Sequence, residues 1–154
     1  MFHVVLYEPE IPANTGNIIR LCANIGAQLH LIKPLGFELN DKKLRRAGLD
    51  YHEWVSVRCY SALDECLTEI GSERVYALTT KGRFCYAEVQ YQRGDVLLLG
   101  SETRGLPNIV LQSLPEKRRI RLPMVPTSRS LNLSNTAAIV VYEALRQVGF
   151  AGTS

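Results

Sequence analysis

Short, uninterrupted apolar runs alternate along this chain with stretches whose apolar residues recur every three or four positions. The runs at residues 2–7 (FHVVLY), 29–33 (LHLIK), 54–58 (WVSVR), 74–79 (RVYALT), 95–100 (DVLLLG) and 119–122 (RIRL) predict strands, rich as they are in β-branched, aromatic and leucine side chains. After the first run, the two prolines of EPEIPA exclude regular structure. Asn14 is expected to cap a helix that buries Ile18, Leu21, Cys22 and Ile25 on one face and ends at Gly26. Asn40 is expected to cap a short basic helix, DKKLRRAG, ending at Gly48. Ser61 and Asp64 have capping-box spacing ahead of a helix with the apolar face Leu63, Cys66, Leu67 and Ile70. Residues 81–94 (KGRFCYAEVQYQRG) show weak periodicity and read mostly as loop. A short helix follows Pro107, and a long one runs from about 133 to 148.

Strands alternating with helices define an α/β fold, a mostly parallel sheet flanked by helices. No repeat, low-complexity tract or linker divides the chain, so residues 1–154 are expected to form a single domain. The last helix departs from a simple amphipathic pattern. Leu133, Ala137, Val140, Val141, Ala144 and Val148 share one face, while Ala138, Ile139, Tyr142 and Leu145 add apolar surface around much of the rest. A helix covering a sheet in so small a domain should keep a wet face. This one predicts burial on a second side, either in a central core or, as favoured here, in a homodimer interface.

Composition changes this picture little. The formal charge of +3 permits an acidic partner such as RNA without demanding one. The four cysteines, Cys22, Cys59, Cys66 and Cys85, form no C-x-x-C pair, and no histidine stands at zinc-ligand spacing. Reduced thiols and no signal peptide predict a cytoplasmic protein, and the apolar runs are too short to cross a bilayer. His3 and His30 fall within strands and are expected to be structural. No G-x-G-x-x-G, Walker, H-E-x-x-H or G-x-S-x-G motif occurs. The basic groups Lys42, Lys43, Arg45, Arg46 and Lys117, Arg118, Arg119 could meet phosphates, although solvated charge is the ordinary account of them.

Three segments carry candidate chemistry. In N-T-G-N-I-I-R (14–20), Asn17, Arg20 and Asn24 line the polar face opposite the buried stripe, near a helix N-terminus suited to anions. In L-L-L-G-S-E-T-R-G-L-P (97–107), a leucine strand delivers Gly100 to the sheet edge, where ligands bind in open α/β folds. Small residues there would let a ligand approach the backbone, with Glu102 and Arg104 held in the loop. In R-L-P-M-V-P-T-S-R-S-L-N-L-S-N-T-A-A (121–138), two prolines stiffen a strand exit. The hydroxyl and amide side chains that follow are too numerous for one helix cap. The second and third segments are expected to form one small-ligand site.

In order and spacing, the three segments resemble the three motifs of the SpoU branch of the SPOUT methyltransferases, a likeness that covers essentially the whole chain. It is nearest to the single-domain members that methylate the ribose 2′-oxygen of tRNA wobble nucleotide 34, cytidine or a modified uridine, in leucine tRNAs. The resemblance implies S-adenosylmethionine as methyl donor, no metal, a homodimer, a tRNA substrate and no separate RNA-binding domain. It also implies a C-terminal trefoil knot, which general topology rules would not suggest. By position, Leu78, Gly100, Leu122 and Ser130 would contact the cofactor, and Glu102, Leu106 and Asn132 would line the same pocket. Arg20 would stand beside the reacting hydroxyl across the dimer interface, with Asn17, Tyr142 and Ser128 as secondary candidates. A guanidinium stays protonated, so Arg20 is expected to clamp a phosphate and stabilise the developing oxyanion rather than act as base. Methylation of another tRNA or ribosomal RNA nucleotide, or a non-catalytic RNA-binding module with a relic pocket, are the alternatives.

Overall fold

The computed structural model describes all 154 residues. Seven strands form one sheet: β1 (His3–Tyr7), β2 (Gln28–Ile32), β3 (Arg58–Tyr60), β4 (Val75–Leu78), β5 (Phe84–Cys85), β6 (Val96–Leu99) and β7 (Arg119–Arg121). Their spatial order is β3-β2-β1-β6-β4-β7-β5, and every ladder is parallel. The helices are α1 (Pro12–Ile25), α2 (Asp41–Arg46), α3 (Tyr51–Trp54), α4 (Leu63–Ile70), α5 (Asn108–Gln112) and α6 (Leu133–Gln147). None is long and apolar enough to cross a membrane.

The sheet is apolar on both faces because helices cover both. Val4, Leu6, Leu97, Leu99, Tyr76 and Leu78 point to the layer that holds α1 and α6. Their alternates Val5, Val96, Leu98, Val75 and Ala77 point to the layer of α4 and α5. A parallel sheet buried in this way reads as continuous apolar sequence, which is why its central strands were legible. Cys22 lies in the core stripe of α1, and none of the four cysteines is in a disulfide. His30 is buried between neighbours across the sheet. Its Nε2 lies 3.0 Å from His3 Nδ1 and its Nδ1 lies 3.1 Å from the Tyr60 hydroxyl. Burial pushes the His30 pKa down to about 4, so the ring is a neutral structural link at physiological pH.

Three local expectations are corrected. The first helix begins two residues before Asn14, because Pro12 takes a first-turn position where its missing N–H is no loss. Asn14 is therefore inside the helix and buried, not its cap. Residues 54–58 are not a strand. Asp50–Glu53 starts the single turn α3, which contains Trp54, and strand pairing begins only at Arg58. The N-cap of α4 is Ala62, with no side-chain cap, because Ser61 stands one residue too early. Residues 81–94 are mostly loop, as expected, holding only a two-residue strand, β5, that pairs with β7, and a 3-10 turn at Tyr86–Glu88. Asn40 does cap α2, accepting the Lys43 N–H at 3.0 Å.

Candidate active site

The chain leaves β1 toward β2 on one side, and leaves β6 toward β7 on the other. Between them lies a switch point, where open α/β sheets bind ligands at the carboxyl ends of their strands. A cavity of about 450 Å³ occurs beside it, over the ends of β6, β4 and β7. That volume is within the roughly 300–1,000 Å³ usual for small-molecule sites. Leu78, Leu99, Leu106 and Leu122 supply apolar wall, while Thr79, Ser101, Ser130 and Asn132 supply polar groups.

All seven residues expected to meet a cofactor line this one cavity: Leu78, Gly100, Glu102, Leu106, Leu122, Ser130 and Asn132. The loops after β6 and β7 thus come together, although residues 102 and 132 are far apart in sequence. Gly100 has a steric reason to be glycine beside the expected one. A Cβ there would lie 2.2 Å from the carbonyl carbon of Gly105 and 2.4 Å from the Leu106 nitrogen. The glycine is required sterically because the 101–106 turn folds back over it. Gly105 closes that turn at φ +65°, donating its N–H to the Ser101 carbonyl at 3.0 Å.

The polar side chains at the rim fasten loops to one another. Glu102 accepts the backbone N–H groups of Glu10 and Ile11, each at 2.8 Å, and the Asn14 amide at 3.1 Å. Glu10 reciprocates, accepting the Thr103 N–H at 3.0 Å and its hydroxyl at 2.7 Å. Those bonds hold the Glu10 carboxyl below its usual pKa, with the Thr103 hydroxyl the largest cause. Asn14 Oδ1 in turn accepts the Asn132 amide at 3.0 Å, and Asn132 Oδ1 caps α6 through the N–H groups of Ser134 and Asn135. Asn14 therefore joins all three segments that sequence reading singled out. Its linking role, and the Glu10–Thr103 clasp, were missed because periodicity carries no trace of partners some 90 to 118 residues apart.

The reaction-side candidates lie elsewhere. Arg20, Asn17 and Tyr142 do not line the cavity of their own chain, and neither does Ser128. Arg20 is on the polar face of α1 and about half exposed, and Tyr142 is likewise exposed on α6. Arg20 Nε donates to Glu53 Oε2 at 2.9 Å and Nη2 donates to Glu53 Oε1 at 3.3 Å and to the Gly48 carbonyl. The carboxylate raises the Arg20 pKa further and the guanidinium holds Glu53 below the usual carboxylate range. That excludes Arg20 as a proton acceptor near neutral pH.

These features define an open, parallel α/β domain with a small-molecule site at the carboxyl edge of its sheet. More narrowly, the chain belongs to the SpoU rRNA Methylase family, which it matches over residues 1–142. It is 57% identical over 152 residues to the tRNA (cytidine(34)-2'-O)-methyltransferase of Escherichia coli, covering 99% of this chain and 97% of the relative. It is also similar to a solved structure described as giving insight into 2-OH methylation of C/U34 on tRNA. That match has a TM-score of 0.88 and 43% identity, and covers 97% of each chain. An AdoMet-bound rRNA methyltransferase from Sinorhizobium meliloti matches with a TM-score of 0.80 and 25% identity, over 96% of this chain and 56% of its own.

Proposed function

We propose that the chain transfers a methyl group from S-adenosylmethionine to the ribose 2′-oxygen of nucleotide 34 in tRNA, cytidine or a modified uridine of leucine tRNAs. The observation that carries this reading is the full-length identity to the Escherichia coli wobble-nucleotide methyltransferase, with all three motif segments joined around one cavity. The cavity's donor set suits the cofactor. Its leucine walls offer an adenine ring apolar contact, and Ser130, Thr79 and the main chain of the 100–106 turn offer polar contacts for ribose and amino-acid groups. Glu102 and Asn132 contribute mainly by holding the walls together. Bound there, the sulfonium supplies an activated methyl group, which needs no metal.

The chain's own residues then have to align a poor nucleophile and offset the charge that develops on it. Arg20 is suited to clamp a backbone phosphate and stabilise that oxygen. It stands outside its own chain's cavity, which supports a homodimer in which each protomer's Arg20 faces the other's cofactor site. Ile139 and Tyr142 form an exposed apolar strip along α6, on the side away from Ala137, Val140 and Val141, and Asn17 is exposed on α1 beside Arg20. These surfaces belong to the same proposed interface. Helix α6 packs on α1 and β6 while both the loop leading into it and the 100–106 turn wall the cavity. That disposition favours a C-terminal trefoil knot, and a tRNA substrate like that of the Escherichia coli relative suits an enzyme acting in the cytoplasm.

The decisive experiment incubates the protein with labelled S-adenosylmethionine and undermethylated total tRNA, then maps 2′-O-methyl sites. Label at nucleotide 34 of leucine isoacceptors is expected. Label at another tRNA or rRNA nucleotide rejects the wobble assignment, and no incorporation favours a binding module. Sedimentation giving a monomer at micromolar concentration removes the shared-site arrangement.

A further inference from the structure

We infer that Glu53 is a positioning residue for Arg20, and that the excursion between β2 and β3 exists in part to hold that guanidinium for the RNA backbone. The inference rests on the reading of Arg20 as the residue facing the reacting ribose.

The two partners are unequally placed. The Glu53 side chain is 7% exposed and that of Arg20 is 50% exposed. The carboxylate is itself fixed, because Oε1 accepts the Asp50 N–H at 2.8 Å, the reciprocal half of a capping box at the start of α3. Trp54, next in the chain, is buried in the main core, and α3 packs on α1. Glu53 is therefore a rigid anchor and Arg20 the arm attached to it.

A guanidinium has five N–H donors in a planar fork. Nε–H and the two Nη2 donors go to Glu53 and the Gly48 carbonyl, which lies between α2 and α3. The two Nη1 donors have no protein partner and form the edge left for a phosphate or a ribose oxygen. A fixed plane with one free edge is what in-line methyl transfer requires, since an ångström of misplacement can cost about 100-fold in rate. Asp50 and His52 also approach Glu53, with ligand atoms of the three within 4.8 Å. Both Glu53 oxygens already accept N–H groups, which gives that cluster a structural account.

The test measures kcat, tRNA KM, cofactor affinity and melting temperature for Glu53→Gln, Arg20→Ala and the double variant. Glu53→Gln should lower kcat about 10- to 100-fold while cofactor affinity and melting temperature stay native. Glu53→Asp, which retains the charge at shorter reach, should recover part of that loss. Adding Glu53→Gln to Arg20→Ala should change kcat less than about twofold, since Glu53 then has nothing to position. A Glu53→Gln enzyme with native or higher kcat, beside an inactive Arg20→Ala, overturns the inference and leaves the Arg20 reading intact. An equal fall in both backgrounds assigns Glu53 a merely structural part and also overturns it. Native turnover by Arg20→Ala instead removes the reading beneath it.

Discussion

The cofactor cavity and the Arg20 arm are built on opposite principles. In the cavity, polar side chains such as Glu102, Asn14 and Asn132 bind loop to loop, leaving leucines, small hydroxyls and main chain to face a ligand. At Arg20, a single exposed side chain is the instrument, and one buried carboxylate and one carbonyl hold it. The cavity is thus a property of backbone shape, distributed over many contacts. The arm depends on one group and its holder. Damage should spread differently from each.

The largest effect is expected at Gly100. An alanine methyl would overlap the Gly105–Leu106 backbone, and no flexible side chain is there to yield. Gly100→Ala should abolish measurable S-adenosylmethionine binding by calorimetry and cost about 1–3 kcal/mol or more in urea unfolding. Native affinity would show that the 101–106 turn can shift without harm to the cavity. Next, Arg20→Ala should lower kcat about 100- to 1,000-fold with cofactor affinity unchanged, which separates chemistry from cavity, while the melting temperature falls because the buried Glu53 carboxylate loses its partner. Asn14→Ala removes one partner each from Glu102 and Asn132 inside a buried network. It should destabilise by about 1–3 kcal/mol and weaken cofactor binding together with stability, because the loops part.

Acid should act last and least. The folded-state pKa of Glu10 is depressed below 4.5. The stability that its clasp contributes is therefore fully present above that value, and is lost as pH falls through the folded pKa. Cofactor affinity should decline from this group only as pH falls below the ordinary glutamate range, and Glu10→Gln should remove that limb of the titration. A decline beginning near neutrality would point to another group.

The sequence showed the parts of this molecule that repeat locally. Buried strands such as β6 stand out because four consecutive residues are apolar, and α1 and α6 because their core residues recur at helical spacing. The seven cavity residues were found by motif order, not by any local pattern. What failed was local grammar with two meanings. Asn14, just ahead of an apolar stripe, has the look of a cap, yet Pro12 starts the helix earlier and turns Asn14 inward. The 54–58 segment alternates like a strand, but the Asp50–Glu53 spacing already marked a helix start there. Glu53 itself went unnoticed, since its importance comes from Arg20, 33 residues away.

The Asn14 link also sets the order in which a newly made chain can become an enzyme. Residues 1–25 leave the ribosome early and can form β1 and α1, but Asn14 must wait 88 residues for Glu102 and 118 for Asn132. Such distant pairing is slow, because loop closure must be met before the contacts reward it. Synthesis interrupted between Arg121 and Asn132 leaves a fragment that carries all seven strands but no closed ligand site. Completeness of translation is therefore written into the site itself, and a truncated product should be unable to occupy substrate with an unfinished active centre.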